Sequence, residues 1–199
     1  MSKARLEAFS DGVIAIAITL LVLELGVPKP EAPGTLAHKL AEQWPSYAAY
    51  VVSFVTIGVI WINHHAMLRR VQTVDHSALV LNLLLLMLIA VLPWTTALLA
   101  EYLRETDGQH LAAAIYGGSL LAMALSFFAM QRHLLVARPE LVVDTLGPAE
   151  RTAIMRRNMV GLLPYVIATA VAPLSSYLVL AICGAVGVYY ALPATTSSA

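Results

Sequence analysis

Residues 5–25 read RLEAFSDGVIAIAITLLVLEL, an apolar run with an aspartate, Asp11, in its first half. A bilayer core about 30 Å thick needs about 20 apolar helical residues, so a run of this length predicts a membrane-spanning helix. The whole chain follows the same pattern: its 199 residues are 59% hydrophobic and 12% charged, with a mean hydropathy of +0.77. Soluble domains carry about 25% charged residues. The composition therefore predicts an all-α integral membrane protein and excludes a soluble one.

The sequence lacks the features that are typical of several functional classes. The 12 basic residues are balanced by 12 acidic ones, so no basic excess points to a nucleic-acid partner. Cys183 is the one cysteine, which excludes a disulfide framework or a cysteine-based metal site. The sequence has no Gly-x-Ser-x-Gly elbow, Walker loop or His-Glu-x-x-His pair. We therefore predict that the protein is not an enzyme and has no cofactor.

Apolar stretches of the right length recur along the chain. Residues 158–192 carry no charge, and at 1.5 Å per residue they would extend about 50 Å, too long for one span. This stretch is predicted to turn at residues 172–176, where Pro173 lacks a backbone donor. The predicted spans cover residues 5–25, 46–67, 77–100, 111–130, 150–172 and 174–192. Together they form a single six-helix unit over residues 1–193, followed by a disordered tail at 194–199.

The distribution of basic residues predicts the orientation. With the N-terminus in the cytoplasm, Lys29, Lys39 and Arg104 fall in outer loops, and the other nine of the 12 basic residues fall on the inner side. Lysine and arginine concentrate in cytoplasmic loops, so both termini are predicted to be cytoplasmic. The proline-rich outer connection at residues 26–45 contains a short amphipathic segment at 36–43.

Polar residues within the spans are costly in lipid and are candidates for function. With the orientation above, they are predicted to meet in one buried layer near the cytoplasmic face. Its members are Arg5, Ser10, Asp11, Asn63, His64, His65, Asp75 and Asn82. The layer can clamp three helices together, or couple transport to protons through its aspartate and histidines. A metal site is disfavoured because adjacent helical residues point about 100° apart.

A helical wheel divides the first span into two faces. Asp11 points about 130° away from the centre of one apolar sector and is predicted to face the bundle. That sector is about 100° wide and contains Phe9, Gly12, Ile16, Thr19, Leu20 and Leu23. From the residues alone, packing against another helix is its commonest explanation. In the fourth span, small residues at four-residue spacing predict a second packing face: Ala114, Gly118, Ala122 and Ser126.

The first motif gives the chain a family resemblance. Residues 5–11 match the pattern Arg-x-x-x-Phe-Ser-Asp, and residues 61–65 read WINHH, followed by Asn82 and Pro93 in the third span. These motifs resemble the family of the endolysosomal potassium channel known as transmembrane protein 175. The resemblance extends from Arg5 to about residue 192.

The resemblance implies an assembly and a pore. Family members with one six-helix unit form tetramers, and their first helices line a central pore whose filter consists of side chains. Carried over to this chain, the pore-lining residues are Ile16, Thr19, Leu20 and Leu23, with K⁺ passing beside them. A second group holds or moves the first helix: Arg5, Phe9, Ser10, Asp11, Trp61, His64, His65 and Asn82.

The resemblance thus implies a potassium-preferring channel with a hydrophobic filter. It also implies that the partners are other copies of the chain and the lipid bilayer, and that a single-unit chain lies in a prokaryotic inner membrane. Two alternatives stay open: a proton-coupled transporter that uses the Asp and His layer, and a membrane scaffold without transport.

Overall fold

The computed structural model describes residues 2–31, 33–143 and 146–191, and this part of the chain is almost entirely helical. A 3-10 turn, Leu21–Glu24, extends the first helix, and a π turn, His133–Ala137, extends the fifth. The α-helices in these ranges are α1 Lys3–Leu20, α2 Leu36–Glu42, α3 Trp44–Arg69, α4 His76–Tyr102, α5 Gln109–Arg132, α6 Pro148–Val171 and α7 Ser176–Ala191.

The all-helical prediction is confirmed, and most of each stretch predicted to span is helical in the described residues. The short segment in the outer connection forms α2, and the predicted turn separates α6 from α7. Pro45 and Pro148 lie in the first turns of α3 and α6, where a proline removes no helical hydrogen bond. The tail at 194–199, predicted to be disordered, lies outside the described residues.

Helix length and composition separate the candidate spans into two groups. Four helices of the described chain are long and apolar enough to cross a membrane: Lys3–Glu24, Trp44–Arg69, His76–Tyr102 and Gln109–Ala137. The helix α7 is apolar but shorter, and α6 contains Arg156, Arg157 and Asn158 in its first half. The count of six spans therefore stays a prediction.

The helix α4 lies at the centre of the bundle because it is apolar on most of its surface. It packs against α1, α3 and α5, while α6 packs against α5 and α7. Leu85, Ile89, Leu92 and Leu99 are completely buried along α4. This arrangement makes α4 the helix on which α1 and α3 are positioned.

Two loops at the end of the bundle that is predicted to be cytoplasmic are joined by backbone pairing. The Gln72 amide donates to the Leu141 carbonyl at 2.8 Å, and the Val143 amide donates to the Arg70 carbonyl at 2.8 Å. These bonds flank an antiparallel bridge between Val71 and Val142. The connection from α3 to α4 is therefore fixed to the segment that follows α5.

The closest helix approach on α5 is one residue away from the predicted ridge. A Cβ added to Gly117 would lie 3.2 Å from Thr169 Oγ1 and 3.4 Å from Thr169 Cα on α6, whereas one added to Gly118 would meet nothing within 4 Å. Gly117 is buried, and Gly118 is only partly buried. Gly117 is therefore the glycine at the α5–α6 contact within the chain, and the ridge with Gly118 stays a prediction of a packing face within the subunit or between subunits.

We expect Gly117→Leu to destabilise the protein by about 1–3 kcal/mol, because the added side chain must displace the α6 backbone at Thr169. The matched variant Gly118→Leu, which adds the same atoms to open space, should leave the unfolding temperature nearly unchanged. Thermal unfolding of both purified variants in detergent measures the difference. Equal shifts in the two variants would show that α5 and α6 do not pack at Gly117.

Candidate functional site

One face of α1 is left uncovered by the rest of the chain. Ile16 is 61% exposed, Leu20 41% and Leu23 72%, and Thr19 is exposed between them. Phe9 and Gly12 continue the same face toward the N-terminus and are also exposed. We call these residues the α1 stripe: Phe9, Gly12, Ile16, Thr19, Leu20 and Leu23. They are the sector that the helical wheel identified.

The other side of α1 is buried against the bundle. Leu6, Ile14, Ala17 and Leu21 belong to the hydrophobic core, and Ser10 lies among them with no exposed surface. The helix contacts α3 and α4 on this side. As a result α1 has one apolar face with partners in the same chain and one apolar face without them.

The polar group of the α1 stripe is oriented by its own helix. Thr19 Oγ1 donates to the Ile16 carbonyl at 2.9 Å. A hydroxyl has one donor and two acceptor lone pairs, so this bond uses the proton and leaves oxygen lone pairs at the exposed surface. The geometry suits an interaction with a cation or with water.

A buried polar cluster links α1 to two other helices. His64 Nε2 lies 2.8 Å from Asn82 Oδ1, and Asn82 Nδ2 donates to Ser10 Oγ at 3.0 Å. Ser10 Oγ in turn donates to the Leu6 carbonyl at 2.9 Å. Because an amide oxygen only accepts, His64 donates through Nε2. We call Ser10, His64 and Asn82 the polar anchor; all three are at most 1% exposed.

A second link between α1 and α3 lies at the edge of the bundle. Trp61 Nε1 donates to Asp11 Oδ1 at 2.9 Å, and the Trp61 ring lies 6.1 Å from the His65 ring. Asp11 is partly buried, while Trp61 and His65 are exposed. Asp11 faces the bundle as predicted, since Trp61 of α3 binds its carboxylate, but it lies at the α1–α3 edge and is not fully buried.

The predicted single buried layer is wrong for several of its members. The Arg5 side chain is exposed and makes no hydrogen bond or ion pair within the described residues. Asn63 is exposed and donates to Val59 of its own helix. His65 points away from the polar anchor because consecutive helical residues are about 100° apart. Across residues 2–31, 33–143 and 146–191, no three His, Cys, Asp or Glu side chains are grouped to hold a metal ion.

Asp75 lies outside the predicted layer and pairs with His133. Its Oδ1 accepts from the Ala78 amide at 2.8 Å, which caps α4, and its carboxylate lies 3.0 Å from His133 Nε2. Burial alone would raise the pKa of Asp75, but the Ala78 amide and His133 outweigh it, so the pKa lies below its ordinary value of 3.8. Sequence reasoning missed His133 because it lies at the far end of the fourth predicted span.

Another buried cluster was not predicted. Ser53 Oγ lies 2.7 Å from Thr96 Oγ1 and 3.0 Å from Tyr116 Oη, which joins α3, α4 and α5. Hydroxyl residues are common in membrane helices and gave no distinctive sequence signal. The signal in the sequence that could have indicated this cluster is the similar depth of Ser53, Thr96 and Tyr116 in the predicted spans.

Comparison with known proteins shows which proteins the chain is similar to. The family described as endosomal/lysosomal potassium channel TMEM175 matches residues 5–93. A potassium channel from Streptomyces collinus is 48% identical over 188 residues, which are 94% of this chain and 91% of its own length. The crystal structure of a lysosomal potassium-selective channel TMEM175 homolog from Chamaesiphon minutus has a TM-score of 0.84 at 40% identity, covering 95% of this chain and 96% of that one.

The animal relatives are longer proteins. The human endosomal/lysosomal proton channel TMEM175 is 39% identical over 101 residues, which are 47% of this chain and 20% of its own length.

The apolar helices and these relatives define an integral membrane ion channel. The chain belongs to the TMEM175 family.

The polar anchor generates a stability prediction. Asn82→Ala should lower the free energy of unfolding by about 1–3 kcal/mol, because it leaves the buried His64 Nε2–H and Ser10 hydroxyl without their shared partner. Asn63→Ala, which removes an exposed amide from α3, should change it by no more than about 0.5 kcal/mol. Thermal unfolding in detergent compares the two. A shift for Asn63→Ala as large as that for Asn82→Ala would contradict the anchoring role.

The Asp75–His133 pair generates a pH prediction. Because the folded pKa of Asp75 lies below 3.8, its stabilising contribution is present above that pH and is lost as the pH falls through the folded value. Wild type should therefore be more stable than Asp75→Asn at neutral pH, and the difference should shrink below about pH 4. Unfolding temperatures across this range measure it, with the exposed-loop variant Asp107→Asn as control. A difference that stays constant down to pH 3 would rule out this contribution.

Proposed function

We propose that four copies of this chain form a potassium-preferring channel whose central pore is lined by α1. The observation that carries the proposal is the α1 stripe, in which Ile16, Leu20 and Leu23 stay exposed while the opposite face is buried. An exposed apolar face of a membrane helix faces lipid, a partner helix or a pore axis, and the position of this stripe on the first helix, which lines the pore in the family that the chain resembles, favours the pore axis. The resemblance to single-unit family members supports four copies, with one stripe from each around the axis.

In this arrangement Ile16 forms the narrowest apolar ring. A hydrophobic constriction blocks ions by excluding water, so opening must widen it. A narrow and weakly polar passage favours K⁺ over Na⁺ because K⁺ loses its hydration water at lower cost. The filter is therefore expected to be less selective than one made of stacked carbonyl groups.

Thr19 supplies the polar contribution to the pore. Its hydroxyl proton is donated to the Ile16 carbonyl, which leaves the oxygen free to accept. The four Thr19 oxygens, one from each copy, then face the pore axis and replace part of the hydration of a passing cation. Leu20 and Leu23 continue the apolar lining toward the outer mouth. Potassium is the permeant ion and no cofactor takes part.

The remaining predicted residues hold or move α1. The polar anchor fixes Ser10 of α1 to α3 and α4, and the Asp11–Trp61 bond fixes the adjacent residue to α3. Phe9 begins the stripe beside them, Arg5 lies at its cytoplasmic end, and the His65 ring lies beside the Trp61 ring at a tilt. Widening the Ile16 ring requires α1 to move with these links or to break them, which makes His64 and His65 possible points of pH input.

The membrane arrangement completes the proposal. The single unit over residues 1–193 crosses the bilayer six times with both termini in the cytoplasm of a prokaryotic cell, in its inner membrane. In the described chain α6 and α7 are the less apolar and the shorter candidates. Their placement as spans five and six is supported by the turn between them, which brings α7 back along α6.

The reversal potential of the purified protein in a planar bilayer, with K⁺ on one side and Na⁺ on the other, tests the function. We expect a current that reverses toward the K⁺ equilibrium potential. Ile16→Asn should reduce the K⁺ preference or increase the conductance, because it replaces the apolar ring with amides. Val91→Asn, which adds an amide to an exposed position of α4, is the matched control and should leave both unchanged.

Three results would contradict the proposal. Unchanged currents in a folded Ile16→Asn channel would remove Ile16 from the constriction. A reversal potential that follows a pH gradient at equal K⁺ would favour proton conduction, the activity for which the human relative is named. Saturable uptake driven by a pH gradient, without a linear current, would indicate a transporter.

A further inference from the structure

A deep cleft opens away from the α1 stripe, between α3, α5, α6 and α7. Its volume is about 1040 Å³, at the upper end of the range of about 300–1,000 Å³ common for ligand sites. Ile60 of α3, Phe127 of α5, Tyr165 of α6 and Ile182 of α7 are among its walls. Most of the lining is apolar, so the cleft suits a hydrocarbon chain better than a polar molecule.

One end of the cleft is basic. Arg156 and Arg157 line it where α6 carries its last charges before the charge-free stretch, and Asn158 beside them donates to Gln131 Oε1 of α5. A smaller cavity of about 50 Å³ lies beside this end. It shares Asn63 and Arg157 with the cleft and is also lined by Arg70. Three arginines therefore border the cleft or the cavity beside it.

The charge of Arg156 is not neutralised by the described residues of the site. Among the described residues that line either cavity there is no aspartate or glutamate. The Arg156 guanidinium is exposed and makes no ion pair or hydrogen bond to another described residue. A positive end next to an apolar cleft is complementary to a molecule with an anionic head and a hydrocarbon tail.

We propose that this cleft binds an anionic phospholipid, with its phosphate at Arg156 and Arg157 and an acyl chain between α3 and α6. Basic pockets between membrane helices at the cytoplasmic side recognise anionic head groups in this way. The charged end lies at the level where the predicted orientation places the inner leaflet. The proposal requires the chain to lie in a bilayer but does not depend on which ion the pore conducts.

Other occupants fit the site less well. Free phosphate would use the arginines but leave the apolar walls of α3 and α7 uncovered. A second copy of the chain would have to bring acidic side chains to the arginines. Nine of the 12 basic residues are predicted to lie on the same side, so an approach between like copies is disfavoured there.

Native mass spectrometry of the intact oligomer in detergent tests the proposal. Palmitoyl-oleoyl-phosphatidylglycerol and the phosphatidylcholine with the same acyl chains are titrated separately. We expect tighter binding of phosphatidylglycerol, and Arg156→Gln should weaken that binding about five-fold. The affinity of Arg156→Gln for phosphatidylcholine should equal that of wild type. Arg132→Gln, an exposed arginine at the end of α5 that does not line the cleft, is the control for net charge and should change little.

A second pair of variants tests the apolar part. Ala185→Trp on α7 fills the cleft and should reduce retention of both lipids, whereas Ala181→Trp, exposed one turn earlier and outside the lining, should not. Oligomer mass and unfolding temperature verify that each variant is folded. If Ala185→Trp fails to fold, the Arg156→Gln comparison decides by itself.

Equal affinity of wild type for the two lipids would overturn the proposal, as would unchanged phosphatidylglycerol binding by Arg156→Gln. Loss of the oligomer in folded Ala185→Trp would show that a second copy covers the cleft. If wild type does not bind lipid selectively but conducts K⁺, the lipid-site proposal fails and the channel proposal stands. If it binds lipid but carries no current, the channel proposal fails and the lipid-site proposal stands.

Discussion

Asn82 reaches from α4 to α1 and α3 at once, and in the apolar interior its amide cannot exchange these partners for water. Its oxygen is held by His64 and its nitrogen by Ser10, at 2.8 and 3.0 Å. A buried polar group without partners is costly, so the three helices are fixed at one rotation about their axes. This rotation decides which side of α1 joins the core and which side remains exposed.

The consequences extend along the whole of α1. With Ser10 turned inward, Leu6, Ile14, Ala17 and Leu21 pack into the core, and Ile16, Leu20 and Leu23 are left facing out. Asp11 is then placed at the edge, where Trp61 holds it. The hydrogen bonds of Asn82 thus fix the rotation of α1 that leaves the proposed pore lining exposed. The basic cleft lies on different helix faces, between α6 and α3, so the two sites can be changed independently.

Much of the architecture could be predicted from the sequence because membrane helices leave strong signals. Long apolar runs located the helices, Pro173 located the turn before α7, and the wheel of α1 identified the stripe. The prediction of one polar layer was less successful. Depth along a helix can be counted from the sequence, but the direction of a side chain depends on how neighbouring helices are rotated. Arg5 and His65 share the depth of the polar anchor and yet lie outside it, and the tight contact between α5 and α6 falls at Gly117 for the same reason.

The sequence by itself determined the fold class, the helix positions and the family, because apolar length, charge placement and the motif at residues 5–11 are local properties. Only the tertiary structure decided that Asn82 joins Ser10 to His64, that Asp75 pairs with His133, and that a cleft ends at Arg156 and Arg157. These contacts join residues far apart in the chain. Their formation depends on how the helices are rotated and on how loops pair, as at the Val71–Val142 bridge. No local sequence pattern indicates either of these.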